Sequence, residues 1–154
     1  MESKLISYDG QTLRTIEPLC GEVEQDEPGT AQGNWFPLGN PRQHEDDDIA
    51  LVHDNFDPRI PVMSVGNSVE GLHSAPYRFN ASASGKVNRD FKDVTPNGGV
   101  YCYESLTSRY SRDPVGIVLI QLTSATGLRI EKQDAKSCGS GPWVFGSNYA
   151  DFER

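Results

Sequence analysis

The stretch Val115-Gly116-Ile117-Val118-Leu119-Ile120-Gln121-Leu122-Thr123 decides the fold. A membrane-spanning helix needs roughly 18 or more consecutive apolar residues, and this run is only strand length. Its first six residues are apolar on both faces of an extended chain, which predicts a central strand covered on both sides. Ala125-Thr126-Gly127 turns the chain, and Leu128 to Lys132 runs back as its antiparallel partner.

Working outward, the periodicity stays that of strands. Lys4 to Tyr8 and Gln11 to Ile16 flank Asp9-Gly10, a dipeptide whose tolerance of positive φ suits a tight hairpin. Short strands are expected at Asn34 to Leu38, Asp48 to Asn55, Ile60 to Val65, Pro76 to Ala81, Val100 to Glu104 and Trp143 to Phe145. Val87 to Val94 supports two readings. Val87, Phe91 and Val94 are spaced for a short amphipathic helix, while Asn97-Gly98-Gly99 before Val100 favours a hairpin. No segment has the 10–15-residue helical pattern that parallel β-α-β units require. The fold class is therefore all-β: one antiparallel β-sandwich or β-barrel of about ten short strands, with at most one short helix. Residues 1–154 read as a single domain with long acidic loops near 17–33 and 39–47.

Charge narrows the partners. Of the net −8, the segment Glu22 to Asp57 carries −9, with ten acids against Arg42 alone, and the remainder carries +1. Such a surface repels phosphate backbones, so no nucleic-acid partner is expected, and no membrane partner either. Arg78 to Arg112 is mildly basic, but its six bases are scattered among three acids. The start, Met1-Glu2-Ser3-Lys4, lacks the basic and then apolar pattern of a secretory signal, so the compartment stays open. Cys20, Cys102 and Cys138 have no zinc-site spacing. An odd number of cysteines does not make a disulfide framework and leaves the redox state open. If one bridge forms, the pairing expected is Cys20 with Cys138, both beside glycine in loop-like sequence, leaving Cys102 as a small buried hydrophobe in a strand.

Two constellations could carry chemistry. The first is acidic, His44 to Asp48 followed by His53, Asp54, Asn55 and Asp57. Clustered carboxylates can coordinate a hard divalent cation, although the spacing lacks the glycine and terminal glutamate of an EF-hand. On a strand, His53 and Asp54 would point to opposite faces and could not form a dyad with each other. The second is aromatic: Trp35 and Trp143 each lie beside glycine and amide side chains. An aromatic face with nearby hydrogen-bonding groups suits a small ligand or a carbohydrate. Gly66-Asn67-Ser68-Val69-Glu70 lacks the second glycine of a nucleophile elbow, and no Walker loop, dinucleotide fingerprint or HExxH occurs.

The leading expectation is a binding or interaction module for a small molecule or carbohydrate. Its site residues would be Trp35, His53, Asp54, Asn55 and Trp143, with no required cofactor. One alternative is a small β-barrel hydrolase or isomerase holding a divalent cation in the His44–Asp57 region. The other is a structural or assembly domain, a homo-oligomer paired through an edge strand.

Overall fold

The computed structural model describes residues 7–8, 11–12, 15–18, 24–39, 45–111 and 113–154. Ten strands occur in these residues: β1 (Ser7–Tyr8), β2 (Gln11–Thr12), β3 (Gly33–Pro37), β4 (Ile49–His53), β5 (Pro61–Val65), β6 (Ala75–Arg78), β7 (Tyr101–Tyr103), β8 (Ile117–Ser124), β9 (Gly127–Gln133) and β10 (Ala150–Glu153). The chain is all-β; helical geometry among the described residues is confined to 3-10 turns at Glu45–Asp47 and Phe91–Asp93. β1 and β2 form a two-residue hairpin ladder, with Tyr8 opposite Gln11. The dipeptide Asp9-Gly10 that should turn it lies outside the described residues.

The other eight strands form one antiparallel sheet in the order β6-β5-β4-β3-β10-β9-β8-β7, curled as a half-barrel. Two meanders, β3 to β6 and β7 to β10, join where β10 pairs with β3 through Phe152–Pro37 and Glu153–Phe36. At the far edges the end of β6 meets the chain after β7 in one antiparallel bridge. There Arg78 N donates to Thr107 O at 2.8 Å and Thr107 N donates to Arg78 O at 3.1 Å.

Period-two alternation sends one face of each strand of the eight-stranded sheet inward. Trp35, Ile49, Leu51, Met63, Tyr77, Tyr103, Ile120, Leu128 and Phe152 belong to one buried cluster, with Phe79 and Phe91 stacked edge-on at 5.3 Å. The outer face of β7 and β8 has a second cluster, in which Cys102, Ile117, Leu119 and Cys138 pack with Trp143 and Phe145. That is why the Val115–Thr123 run is apolar on both sides. Its inner residues meet the barrel core and its outer ones meet the covering segment 134–149.

Three expectations need correction. The disulfide joins Cys102 to Cys138, with Cα atoms 5.9 Å apart, and does not use Cys20, which lies outside the described residues. Cys102 is fully buried as expected, but it faces outward from β7, where the covering segment brings Cys138 onto it. Trp143 to Phe145 is not a strand. Its hydrogen bonds run between side chain and backbone, with Gln133 Nε2 donating to Val144 O at 3.0 Å and Trp143 Nε1 donating to Cys138 O at 2.7 Å. The last strand lies instead at Ala150–Glu153, whose alternation buries Phe152.

Val87 to Val94 satisfies neither of its two readings as a whole. Residues 86–88 run parallel to β7, with Cys102 N donating to Lys86 O at 2.9 Å and Asn88 N donating to Cys102 O at 2.8 Å. Only Phe91–Asp93 winds, as a single 3-10 turn capped by the Asp90 carboxylate on Lys92 N.

Candidate functional site

The five residues singled out by sequence are not gathered at one place. Trp35, on the inner face of β3, is 0% exposed and donates from Nε1 to Ala31 O at 2.9 Å. It therefore presents no ring face to solvent; the Arg154 guanidinium sits over the ring at 4.0 Å instead. Trp143 lies on the outer face of the opposite meander, half-buried in the second cluster.

His53 ends β4 on the same face as Leu51. Its Nε2 lies 3.0 Å from both carboxylate oxygens of Asp90, thirty-seven residues later in the chain. Gln25 extends the sheet past the end of β3, donating from Nε2 to His53 O at 3.0 Å and accepting from His53 N at 2.8 Å. Asp54 turns the other way. Arg78 donates to its Oδ2 from Nε and Nη2 at 3.0 and 2.6 Å, and Phe56 N donates to its Oδ1 at 2.7 Å. Burial pushes the Asp54 carboxyl up, but the Arg78 bonds and the N–H groups of Phe56 and Asp57 outweigh it and hold the pKa below the ordinary 3.8. Burial likewise raises Asp90, and the His53 and Lys92 contacts bring it below 3.8. Asn55 is exposed, with Gln25 Nε2 3.5 Å from its Oδ1.

The acidic region does not converge on a cation in what is described. No group of three or more His, Cys, Asp or Glu suited to a metal occurs among the described residues, and His44 lies outside them. Asp57 is engaged by Arg59, which donates from Nε and Nη2 at 2.8 and 2.7 Å. The Cys138 sulfur is committed to the disulfide, which removes it as a nucleophile. No helix among the described residues is long and apolar enough to cross a membrane.

A cleft of about 440 Å³ opens where the two meanders join, and the sequence reading did not anticipate it. Asp26, Pro28, Gly29, Asn34, Phe36, Ala125, Thr126 and Arg154 line it. Gly33 makes its polar floor possible. With φ +136°, a backbone setting that favours glycine, it leaves the space in which a Cβ would come within 2.1 Å of Asp26 Oδ1 and 2.9 Å of Arg154 Nη1. Asp26 Oδ1 accepts from Asn34 N at 2.6 Å. Arg154 donates from Nη1 to Gln32 O at 3.0 Å and from Nη2 to Thr30 O. Burial lowers the Arg154 pKa and neighbouring Asp26 partly restores it. Arg154 Nε and Gln32 Oε1 are buried with no hydrogen-bond partner among the described residues. A mainly apolar cleft with a few fixed polar groups on its walls suits small-molecule recognition.

Local sequence singles out Gly33 and Asn34 only as neighbours of Trp35, and the strand expected at Asn34 to Leu38 is β3, which brings Asn34 and Phe36 to the cleft. Arg154 and the His53–Asp90 contact depend on pairings across the fold. No protein-family model matches the chain, and no curated protein or solved structure shows significant similarity to it.

Proposed function

We propose that the protein is a small-molecule binding module whose ligand enters the cleft between Asp26 and Arg154. One observation carries the reading: a cavity of about 440 Å³ with apolar walls at Pro28, Phe36 and Ala125 and convergent polar groups from Asp26, Asn34, Thr126 and Arg154. Small-ligand sites commonly occupy roughly 300–1,000 Å³ and combine apolar walls with a few fixed polar groups. Trp35 supports the site from behind, since its ring carries the Arg154 guanidinium. A carbohydrate belongs to the ligand class such a lining accepts.

The test is a thermal-shift screen of neutral sugars, nucleosides and amino acids, repeated on Asn34→Trp and Ala125→Trp. Both positions are exposed, so the new rings fill the cleft and leave the core intact. A hit present at about 100 times its Kd adds about 2.7 kcal/mol of stability. The expected result is a Tm rise in the parent that disappears in both variants. A rise that survives both substitutions overturns this cleft as the site.

The His53–Asp90 pair favours a second reading, a hydrolase or isomerase using His53 as general base, because a carboxylate fixes the tautomer and orientation of its ring. Turnover lost in both His53→Gln and Asp90→Asn would replace the binding reading.

A further inference from the structure

The cleft continues along the outside of the sheet. A second depression of about 320 Å³ shares Thr126 and Arg154 with it and extends over β9 and β10 to Leu38, Arg129 and Asp151. Strand register explains the trough. Alternation places Asn34, Phe36 and Leu38 on the outward face of β3, Asp151 and Glu153 on that of β10, and Gly127 and Arg129 on that of β9. Phe36, Glu153 and Gly127 therefore form one row across the three strands, and Leu38, Asp151 and Arg129 the next. Gly127 contributes no side chain to its row; a Cβ there would come within 2.5 Å of Thr123 Oγ1. The groove stays open at its middle. Over β7 and β8, in the same meander as β9, the outer surface is covered by 134–149, and the strip begins where that segment ends, at Tyr149 against Arg129.

The chemistry along the groove selects among ligands. Arg129 donates to Asp151 through Nε at 2.7 Å and Nη2 at 2.9 Å, a planar fork held flat by the Tyr149 ring, 3.8 Å away. Arg154 spends Nη1 and Nη2 on backbone carbonyls and lies beside Asp26. Among the described residues, both cations of the groove face a carboxylate, and Glu153 adds a further negative charge. An anionic ligand would meet these carboxylates and would approach a chain of net charge −8. Fixed carboxylate and guanidinium edges, with Thr126 and Ser124 at the β8–β9 turn, offer donors and acceptors in directions that hydroxyl groups satisfy. Phe36 and Leu38, the latter 61% exposed, offer apolar contact between them.

Building on the binding reading above, we infer that the ligand is a neutral oligosaccharide lying across the junction of the two meanders, with one sugar in the Asp26–Arg154 cleft and the next over the Arg129–Asp151 fork. Two adjoining depressions, each near the lower end of the range for small-molecule sites, suit a repeating chain better than one compact molecule. The sugar C–H faces rest on Phe36 and Leu38, and the hydroxyls bond to the paired charges.

The test is isothermal titration with neutral gluco-, manno- and xylo-oligosaccharides of one to six units, alongside oligouronates of equal length. The expected result is affinity that rises about tenfold, or about 1.4 kcal/mol, from mono- to trisaccharide in one neutral series. That gain is lost in Asp151→Asn and in Leu38→Ala, two surface substitutions outside the first cleft, while monosaccharide affinity is unchanged. Equal affinity for one and three units, tighter binding of the oligouronates, or an unchanged gain in both variants overturns the oligosaccharide assignment. If no sugar binds while a different small molecule gives a thermal shift that Asn34→Trp abolishes, the extended groove is overturned and the binding module stands. If no sugar binds and no such shift occurs, both are overturned.

Discussion

At the scale of single residues, the carboxylates most deeply engaged are those that lie within reach of a fixed donor. Asp54 and Asp90 both titrate below 3.8 in the folded protein, despite burial, because Arg78, His53 and backbone N–H groups stabilise the charged form. The unfolded chain binds protons at these sites at a higher pH than the folded one does. Their contribution is therefore complete above the unfolded value and is lost as pH falls through the folded value. Urea midpoints measured from pH 7 to pH 2 should fall on the acid side of about pH 5. Asp54→Asn and Asp90→Asn should each lower stability at pH 7 and flatten that acid limb; a limb of unchanged steepness in both would place its origin in other carboxylates. The separate orientation of His53 and Asp54 could be read from strand alternation. That His53 would meet Asp90 could not, because the partner comes from a turn whose position depends on how the sheet curls. Trp35 illustrates the same boundary. Glycine and amide neighbours resemble a ligand-facing context, yet the ring is at the centre of the core and it is Arg154, stacked on it, that reaches the cleft.

At the scale of elements, the segment 134–149 has no regular structure and is held on the sheet by a few specific contacts. Cys138 bonds to Cys102, Glu104 Oε2 accepts from Cys138 N at 2.6 Å, and Glu131 accepts from Gly146 N at 2.7 Å and Asn148 N at 3.1 Å. Glu131 is only 3% exposed, so its carboxylate depends on that segment staying in place. The bridge closes a loop with a sequence separation of 36. Its removal should cost about 2–4 kcal/mol, chiefly by freeing the unfolded chain. Denaturation of Cys102→Ala/Cys138→Ala beside the oxidised parent measures this. Hydrogen exchange should quicken first at 146 and 148, and unchanged exchange there would show that Glu131 alone secures the segment. Strands with clean alternation or a two-sided apolar run were legible in the sequence, as β3, β4, β5, β8 and β9 are. The disulfide was not. Glycine beside Cys20 and Cys138 indicates loops, but two loops need not be close, and the pairing is set by which strand the covering segment crosses.

At the scale of the whole molecule, the joint between β3 and β10 is short in hydrogen bonds and long in side-chain contacts. Two residue pairs and the Leu38 N–Asp151 O bond of 3.0 Å link the meanders along this edge. Arg154 adds its bonds to the carbonyls of Thr30 and Gln32, and Phe152 enters the same cluster as Trp35 and Leu128. A barrel of about eight strands has an interior just wide enough for side chains to fill, so a residue at the joint should act on both meanders together. Phe152→Ala is expected to cost about 3–5 kcal/mol, the usual range for removing a buried aromatic ring. The decisive observation is how that loss is distributed. If one core unites the sheet, the slowest-exchanging amides of β4 and β5 and those of β8 and β9 should lose protection by the same free energy, and unfolding should remain a single transition. If β8 and β9 lose protection while β4 and β5 keep theirs, the meanders are separate cooperative units that merely touch. The proposed ligand groove lies over this joint, so the first outcome bears on that proposal: a ligand bound across β3, β10 and β9 should slow exchange in both meanders, including strands it does not contact.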